Sequence, residues 1–459
     1  MMTDNARSRA LLILGRWEKE GGPLDLVANE ALRSAFAEPR DLQFCRALIY
    51  GVVCWQGYLD ALLTRLSSHP VRQMKPLTRQ ALRCGLYQLL VMDRVPPSAA
   101  INATVQLLKE AGQPRWLTGF VNGVLRRVSR ELAELPRPGE IGGGKTAGWD
   151  LTDLLSHPRW LYDRWLARYG EATALAMCRA NNDGAALVLR AVARVGRDAL
   201  LEKLRSAGIT AEVGSFAPAA IVLPGFRGAV SALPGYEEGW FQVQDEAAQL
   251  VVHLLGEPED GVWLDACAGL GGKTTQLVEL AGPGRRVVAL EPESRRFQLL
   301  GINLQRLGLT AMVETLQCTL AELAATRSRM FQGILVDAPC SGLGVIRRHP
   351  DIRWNRRKAE LVRYQEGQLA ILDQAAALLE PGGVMVYATC STEPEENEQV
   401  LEKFLADHRD FRVEGCGKHL PENASEFVGG DGFFRTRPDQ GVDGFFAAKL
   451  RQYSDEART

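Results

Sequence analysis

Two cysteines follow directly on apolar runs that have the composition of buried β-strands. Cys340 lies in ILVDAPCSG and Cys390 lies in VMVYATCST, so each thiol stands where a strand pattern has just ended. In an open parallel sheet, ligands bind at the carboxyl ends of the strands. If the two strands are neighbours, both thiols face one pocket, with Asp337 at the end of the first run beside them. We therefore predict a reaction centre built on a cysteine nucleophile.

The remaining cysteines do not indicate a metal site or a disulfide framework. The chain has nine cysteines without a CxxC pair, and no His, Asp or Cys completes a ligand set near the two strand-end thiols. We expect no metal, free thiols and a reducing cytoplasmic setting. The CxxH formed by Cys416 and His419 is interpreted as chance. Buried structural roles are expected for Cys45, Cys54, Cys84 and Cys178.

A glycine-rich turn stands upstream, between a strand pattern and a helix pattern. WLDACAGLGGKTTQLVEL, residues 263–280, contains Gly269, Gly271 and Gly272, which let the backbone approach a ligand where helix N–H groups are free. The next strand pattern ends in Glu291, 22 residues after Gly269, and a carboxylate there can accept both ribose hydroxyls. These features favour a nucleoside cofactor. Dinucleotide enzymes also carry an acid at this place, and a tight turn of this kind occurs in any α/β fold.

A thiol beside a nucleoside cofactor suggests a specific reaction. Carbon 5 of a cytosine is a poor nucleophile, but addition of a thiolate at carbon 6 makes the ring enamine-like, so that carbon 5 can attack an electrophilic methyl group. The proton on carbon 5 must then leave and the thiol must be expelled, and a second thiol could assist that step. Asp337 could hydrogen-bond the cytosine edge or the cofactor. The target base must be splayed out of any helix.

A basic run, which extends from Arg347 to Lys358, comes directly after the Cys340 loop. It contains an aromatic residue that could stack on an exposed base, while its arginines suit phosphate contacts. A solvated charged loop is the alternative explanation for a single run of this kind. Its position next to the thiol favours RNA binding, and the candidate residues are Arg347, Arg348, His349, Arg353 and Trp354.

The elements that carry these residues form the last part of the chain. From about residue 260, short apolar runs alternate with helix-length segments, which predicts a parallel, doubly wound sheet. Residues 157–240 read as a small α+β module, and residues 6–135 read as amphipathic helices with arginines on their polar faces. We predict a helical domain over 1–136, a Gly/Pro-rich linker over 137–156, a small α+β module over 157–240 and an α/β domain over 241–453.

Composition and charge restrict the class of protein further. The 459 residues are 46% apolar and 24% charged, and no apolar stretch reaches the length of a membrane span. Residues 1–145 carry 20 Lys and Arg against 13 Asp and Glu, so this part is basic although the whole chain has a net charge of −1. A basic first third is consistent with a polyanionic partner, or with a helical domain that has scattered arginines. No membrane partner is expected.

Several motifs resemble known RNA-modifying enzymes. DLQFCRALIYGVV, LRCGLYQLL, VPPSAAINATVQLLK and GFVNGVLR resemble the NusB-like RNA-binding helical domain over about the first 135 residues. DAPCSG, VIRRHPDIRW, YATCSTEPEENE and DGFF resemble the S-adenosylmethionine-dependent RNA cytosine-C5 methyltransferases, in particular the Sun/Fmu (RsmB-type) family, which modifies small-subunit ribosomal RNA. The resemblance implies three parts: an all-α NusB-like domain, a small RRM-like α+β module and a Rossmann-like class I methyltransferase domain with a seven-stranded doubly wound sheet.

The resemblance also implies residue roles. Cys390 of ATCS is the expected nucleophile and Cys340 of APCSG the residue that helps to release the product, an order that the residues alone leave open. Asp337 is expected between cofactor and base, and Glu291 at the ribose. The methionine part of S-adenosylmethionine is expected at Cys267, Ala268, Gly269, Leu270, Gly271, Gly272 and Lys273. The implied substrate is 16S rRNA, naked or within an assembling small subunit, at cytosine 967 in the family's RNA numbering, and a cytoplasmic monomer is expected.

The chain departs from the family pattern at two places. The family usually reads CAAPGGK, whereas Gly269-Leu270 stands here in place of Ala-Pro. Its third strand usually ends in Gly-Asp, an acid near the adenine, whereas this chain offers Gln317 and Cys318. Gln317 can still hydrogen-bond adenine and is the expected contact.

Two other functions remain possible from the sequence. The first is an RNA-binding or antitermination-type factor whose methyltransferase domain is vestigial. The two departures give this alternative a small weight, and the presence of both cysteines argues against it. The second is a P-loop NTPase, because GEIGGGKT at residues 139–146 fits GxxxxGK[ST]. A glycine-rich linker is the preferred interpretation of that stretch, because a charged helix pattern and two prolines precede it where a buried strand is needed.

Overall fold

The computed structural model describes residues 5–32, 36, 38–256, 261–282, 286–326, 329–415 and 417–453. Their contacts divide the chain into two compact units. The first unit consists of the chain up to Gly184 together with Ile346–Lys358, and the second of Ala185–Val345 together with the chain from Ala359 onward. The second unit contains the strand-end cysteines and the glycine-rich turn, so the candidate reaction centre lies within one unit. Cys416 lies outside the described residues.

The first unit is helical, as its spacing of apolar residues predicts. Asn5 caps the first helix by accepting from the amides of Arg7 and Ser8, and three later helices begin at Pro39, Pro76 and Pro97, where the missing N–H costs nothing. The helices are α1 (Ala6–Glu20), α2 (Leu24–Leu32), α3 (Pro39–Cys54), α4 (Gln56–Leu66), α5 (Pro76–Leu90), α6 (Pro97–Glu110), α7 (Arg115–Glu131), α8 (Leu151–Leu154), α9 (Arg159–Tyr169) and α10 (Glu171–Asp183).

Hydropathy gives little indication of a membrane span in the part of the chain that the structure describes. No single helix there is long and apolar enough, and only α3 and α4 taken together pass that test, across a 71° bend. The apolar residues of this pair, Leu48, Val52, Leu59 and Leu62 among them, are packed in the hydrophobic core of the first unit.

The stretch predicted as a linker is folded onto the first unit. Trp149 stacks on Tyr58 with the ring centroids 5.6 Å apart, and Leu154 and Leu155 are buried. Within the described residues, the segment that fits the P-loop pattern follows helix α7 rather than a strand, and Gly144–Thr146 forms a single 3₁₀ turn instead of opening an α-helix. The geometry of a phosphate-binding loop is therefore not present there.

The second unit begins with a small antiparallel sheet. Its strands are β1 (Leu187–Ala191), β2 (Glu212–Val213), β3 (Ala220–Leu223) and β4 (Phe241–Val243), in the order β2-β3-β1-β4, and α11 (Arg197–Ser206) packs on it. The boundary predicted at residue 240 is therefore too early by one strand, because FQV pairs with β1 instead of opening a helix. The two helices at the start of the predicted module, α9 and α10, group with the first unit.

A larger, mostly parallel sheet forms the rest of the second unit. Among the described residues its strands run in the order β10-β12-β9-β8-β5-β6-β7, and the short β11 pairs with β12. Pairs among β5 to β9 are parallel, and β12 is antiparallel to β9. The strands are β5 (Trp263–Asp265), β6 (Val287–Leu290), β7 (Val313–Leu316), β8 (Phe331–Asp337), β9 (Leu379–Thr389), β10 (Phe411–Glu414), β11 (Phe434–Arg435) and β12 (Phe446–Gln452).

Helices connect these strands and cover the sheet. They are α12 (Glu246–His253), α13 (Gly272–Ala281), α14 (Ser294–Leu307), α15 (Leu320–Thr326), α17 (Leu361–Ala376) and α18 (Glu398–Asp407), while α16 (Ile352–Asn355) belongs to the first unit. The central strands are mostly apolar because both faces are buried, as a doubly wound sheet requires. The chain moves outward from β5 through β6 to β7 and then restarts on the other side at β8. The strand order therefore reverses between β5 and β8, which is where such sheets bind ligands.

Candidate active site

The two strand-end thiols are in contact. Strands β8 and β9 are parallel neighbours with Asp337 opposite Ala388, so the loops that follow them begin side by side. The Sγ atoms of Cys340 and Cys390 lie 3.2 Å apart, although the residues are 50 positions apart in the chain. The condition under which the sequence places both thiols at one pocket, that the two strands are neighbours, is therefore met. The eight cysteines that the structure describes are all free thiols.

The environment of Cys340 keeps its proton on the sulfur. The hydrogen bond with Cys390 raises the pKa of the Cys340 thiol well above its usual value, and burial and the carboxylates of Glu396 and Asp337 raise it further. At neutral pH Cys340 is therefore a neutral thiol in contact with the sulfur of Cys390. A neutral Cys340 thiol can donate a hydrogen bond to the sulfur of its neighbour.

A lysine and an aspartate bridge the point where the strand order reverses. Lys273 lies in the first turn of α13, after β5, and its Nζ atom donates to Oδ2 of Asp337 at the end of β8, 2.7 Å away. Burial lowers the pKa of Lys273, but attraction to Asp337 and the hydrogen bond with it outweigh burial, so the pKa is raised. The lysine is therefore cationic at neutral pH and holds the Asp337 carboxylate next to the cysteine loops.

A second carboxylate, that of Asp265, interacts electrostatically with both members of this pair. Asp265, the last residue of β5, is 1% exposed and accepts from the hydroxyl of Thr274 and the amide of Cys267. Burial raises its pKa to about 6, an effect that the hydrogen bond from Thr274 only partly offsets. Asp265 thereby holds the start of the glycine-rich turn against the start of α13.

The glycine-rich turn has the backbone conformation that its sequence predicts. Gly269 and Gly271 have φ values of +55° and +86°, a region that side chains disfavour. A Cβ atom at Gly271 would lie 2.6 Å from Cδ1 of Leu300, so this position has no room for a side chain. The turn leads into α13, whose first amides, at Gly272 and Lys273, have no acceptor within the helix. Cys267, Ala268 and Leu270 belong to the same turn, and Leu270 is 47% exposed.

The next two strands end in the other predicted cofactor residues. Glu291 follows β6, is 4% exposed and accepts from the amide of Glu293 through Oε1. Gln317 follows β7, is exposed and donates to the hydroxyl of Ser294 at 2.8 Å. Helix-terminal amides, a carboxylate and an amide side chain at consecutive strand ends suit a nucleoside that carries an amino-acid tail. The residues present therefore fit the cofactor implied by the sequence.

The basic run after Cys340 is built into the first unit, and one predicted RNA contact is wrong. Arg353 has no exposed surface. Its guanidinium donates to the carbonyl oxygens of Ser156 and Asn181 at 3.0 and 3.1 Å and to Oδ1 of Asn182 at 2.6 Å. A fully buried arginine that donates to three protein acceptors is a structural residue and has no surface left for a phosphate.

Its neighbours in the run are also used for packing. Nε1 of Trp354 donates to the carbonyl oxygen of Val53 at 2.7 Å, and the indole packs against the core of the first unit, which argues against base stacking by this residue. His349 pairs through Nδ1 with Asp25 at 2.8 Å. Arg347, Arg348 and Arg357 all have partners; Arg347 and Arg348 are half-buried, whereas Arg357 and Lys358 are exposed. The most exposed cations of this run are therefore at its end.

One residue beside the thiols was not predicted from the sequence. Glu396 has no exposed surface and accepts hydrogen bonds from Ser341 and Ser391, the residues that follow the two cysteines. Glu396 lies in STEPEENE, residues 391–398, which contains four glutamates. Several acids in one loop normally indicate a solvated surface, so the sequence did not single out this residue. Two serines directly after the two cysteines were the available signal, because buried hydroxyls need a partner.

Comparisons with known proteins agree with this geometry. A family model described as 16S rRNA methyltransferase RsmB/F matches residues 252–451, a NusB family model matches residues 4–130, and a model for the ferredoxin-like domain of RsmF/B-like methyltransferases matches residues 157–228. The chain is 35% identical over 452 residues to a probable ribosomal RNA small subunit methyltransferase B of Synechocystis, covering 98% of this chain and 99% of that one. It is 37% identical over 430 residues to ribosomal RNA small subunit methyltransferase B of Pseudomonas syringae pv. tomato, covering 92% and 91%.

Solved structures share the fold. The crystal structure of PH0851 matches with a TM-score of 0.77 at 21% identity and covers 98% of this chain and 100% of that one. The structure of NSun6 from Pyrococcus horikoshii with SFG matches with a TM-score of 0.57 at 19% identity and covers 65% of this chain and 99% of that one.

Proposed function

Because this chain belongs to the 16S rRNA methyltransferase RsmB/F family and is an RNA methyltransferase, we propose that it methylates carbon 5 of a cytosine in 16S rRNA. The observation that carries this proposal is the contact between the sulfur atoms of Cys340 and Cys390. Methylation at an exocyclic nitrogen or a ribose hydroxyl needs no thiol, whereas carbon 5 of a pyrimidine must first be activated by addition at carbon 6. The proposed target is cytosine 967 in the family's RNA numbering.

Cys390 is the proposed nucleophile. Its sulfur forms a bond to carbon 6 of the splayed-out base, and the electron pair of the 5,6 double bond then becomes available at carbon 5. S-adenosylmethionine, when bound, supplies the electrophilic methyl group. Asp337, fixed by Lys273, lies at the end of the neighbouring strand and is placed to hydrogen-bond the cytosine edge. The amides of the glycine-rich turn and the carboxylate of Glu291 would hold the cofactor on the other side of Asp337, with Gln317 towards its adenine.

Cys340 is proposed to assist product release. After methyl transfer the proton on carbon 5 leaves to water, the double bond reforms and the bond between Cys390 and carbon 6 breaks. The electrons of that bond return to the Cys390 sulfur, which departs as a thiolate. Cys340 keeps its proton because its pKa is raised, so its S–H group can donate to the departing sulfur 3.2 Å away. Without this donor the covalent enzyme–RNA adduct is expected to persist.

Bisulfite mapping of 16S rRNA tests the reaction and its target. RNA from a strain that lacks this gene is compared with RNA from the same strain carrying the wild-type gene or Cys390→Ala. One cytosine should resist conversion only when the wild-type protein is present. The same assay on purified rRNA and on isolated small-subunit precursors separates naked rRNA from an assembling particle as the substrate, and we expect the protein to act as a cytoplasmic monomer.

An RNA-binding factor with a vestigial methyltransferase domain is the second candidate. The observation in its favour is the exposed Gln317 at the end of β7, where the family pattern has an acid. Calorimetric titration of the full chain with S-adenosylmethionine, with and without rRNA, decides between the two. Binding supports the enzyme, and a lack of binding under both conditions supports the vestigial domain.

A further inference from the structure

A single buried carboxylate connects the two cysteine loops. The Oε1 atom of Glu396 accepts from the amide of Ser341 at 2.7 Å, and its Oε2 atom accepts from the hydroxyls of Ser341 and Ser391, each at 2.5 Å. These serines directly follow Cys340 and Cys390. The residues next to both cysteines are therefore hydrogen-bonded to one carboxyl group, on a residue with no exposed surface.

Hydrogen bonds from Tyr387 and Gln368 fix the position of Glu396. Glu396 ends a 3₁₀ turn, Pro394–Glu396, and its carbonyl oxygen accepts from the hydroxyl of Tyr387 at 2.6 Å. Gln368 on α17 donates both to Oε1 of Glu396 and to the carbonyl oxygen of Pro339, which precedes Cys340. Tyr387 is in β9 and Gln368 is in a helix packed against it, so the anchor of the two loops rests on rigid elements.

We propose that Glu396 is a positioning residue that sets the separation of Cys340 and Cys390, an inference that rests on the proposed two-cysteine reaction. Strands β8 and β9 place the two cysteines next to each other, but each loop leaves its strand before the thiol is reached. A common acceptor with four donors fixes both loops together. Reactions that pass from one group to another depend strongly on such distances, and a displacement of about 1 Å can cost about 100-fold in rate.

Glutamine at position 396 is the matched variant. Its oxygen can accept from the amide of Ser341 and from Gln368, while its NH₂ group faces the two serine hydroxyls, which can turn to accept. Glu396→Gln should therefore keep the loops in place, whereas Glu396→Ala leaves buried donors without an acceptor. Glu402→Gln, on the exposed side of α18, is the control for loss of a negative charge nearby.

Oxidation with diamide tests the separation of the thiols. Loss of the Glu396 charge by itself lowers the pKa of Cys340 and would speed the reaction in both variants, so slower oxidation of Glu396→Ala reports a change in geometry. A diazene oxidant takes two electrons and two protons from a pair of thiols, so the Cys340–Cys390 disulfide forms while diamide is reduced to its hydrazine. The rate, followed by mass spectrometry of the linked peptides, requires neither RNA nor methyl transfer. We expect Glu396→Ala to slow it about tenfold or more, and Glu396→Gln and Glu402→Gln to stay within about threefold of wild type. Circular dichroism checks that each variant is folded.

Steady-state methylation of 16S rRNA provides the second measurement. Glu396→Ala should lower kcat about 100-fold with KM for RNA unchanged, and Glu396→Gln should restore most of kcat. A folded Glu396→Ala protein with the wild-type oxidation rate overturns the proposal. If oxidation follows the expected order but no variant, wild type included, methylates cytosine, the positioning role stands and the proposed function fails.

Discussion

The ammonium group of Lys273 contacts the carboxylate of Asp337 at 2.7 Å across the reversal of strand order, with side-chain exposures of 12% and 30%. Lys273→Met leaves a largely buried carboxylate without its cation, and Asp337→Asn leaves the cation with a weaker acceptor. We expect each single change to destabilise the protein by about 2 kcal/mol, and the double variant to lose less than the sum of the two. Denaturant unfolding of all four proteins measures this coupling.

An exposed ion pair of the same length is the control for this cycle. Arg329 and Glu314 are also 2.7 Å apart, but their side chains are 37% and 40% exposed. Their coupling should be below about 1 kcal/mol because solvent screens it. Equal coupling energies for the two pairs would show that burial at the strand ends adds nothing to the Lys273–Asp337 contact.

The two cysteines should respond differently to removal. Cys390→Ala should abolish methylation without forming an adduct, because no sulfur is left to attack carbon 6. Cys340→Ala should still attack but fail to release, so a covalent protein–RNA complex should accumulate and migrate slowly on a denaturing gel. Cys54→Ser, in the first unit, is the matched control and should methylate normally. An adduct from Cys390→Ala, or normal turnover by Cys340→Ala, would mean that the roles are reversed or absent.

Asp265 should make stability depend on pH. Its pKa is raised from 3.8 to about 6 in the folded protein, so the unfolded chain releases its proton first and folding favours the protonated form. The associated stability is fully present below about pH 4 and is lost as pH rises through about 6. Asp265→Asn keeps an acceptor for Thr274 without a charge. Relative to wild type, it should therefore become more stable by up to about 3 kcal/mol between pH 4 and pH 7.

The charge of Asp337 also raises the pKa of Asp265, and the charge of Lys273 lowers it. Both residues are unchanged in Asp265→Asn. Unfolding midpoints in urea at several pH values, measured for both proteins, give the difference. A gap between the two midpoints that stays constant over this range would contradict the assignment of the shift to Asp265.

Arg353 and Arg357 should separate packing from RNA binding. Arg353→Gln removes a fully buried cation whose acceptors then remain unpaired, and it should destabilise the first unit by about 3 kcal/mol. Arg357→Gln changes an exposed side chain and should leave stability unchanged. In filter binding over a range of salt concentrations, Arg357→Gln should lower the salt slope by about 1 if Arg357 contacts a phosphate. The slope for Arg353→Gln should match that of wild type.

The strands of the larger sheet and the ends that carry the site were predictable from the sequence. Runs such as VVAL and ILV are apolar throughout because both faces of the strand are buried, and polar or glycine residues mark where each strand ends. The contact between Cys340 and Cys390 followed from the single assumption that their strands are neighbours. The positions of Glu291 and the glycine-rich turn at strand ends were predictable for the same reason, and their contacts with a cofactor stay a prediction.

The roles of polar residues in loops were less predictable. Arg353 and Glu396 are both buried, yet RRHPDIRW and PEENE have the composition of solvated loops. The local sequence shows that such residues are charged, but it does not show which distant groups form hydrogen bonds with them. Arg353 is satisfied by Ser156 and Asn182, more than 170 positions away in the chain, and these partners become visible only when the chain is folded.

The segment Ile346–Lys358 belongs to the first unit although it lies between two elements of the second. The two units are therefore not separate lengths of chain, and no single cut divides them. A protein expressed from residue 185 onward should carry Arg353 and Trp354 without their acceptors at Ser156 and Val53, and should aggregate or lose this segment to proteases. Recombination at one junction would therefore separate Ile346–Lys358 of this chain from the residues that it packs against, unless this segment changed as well.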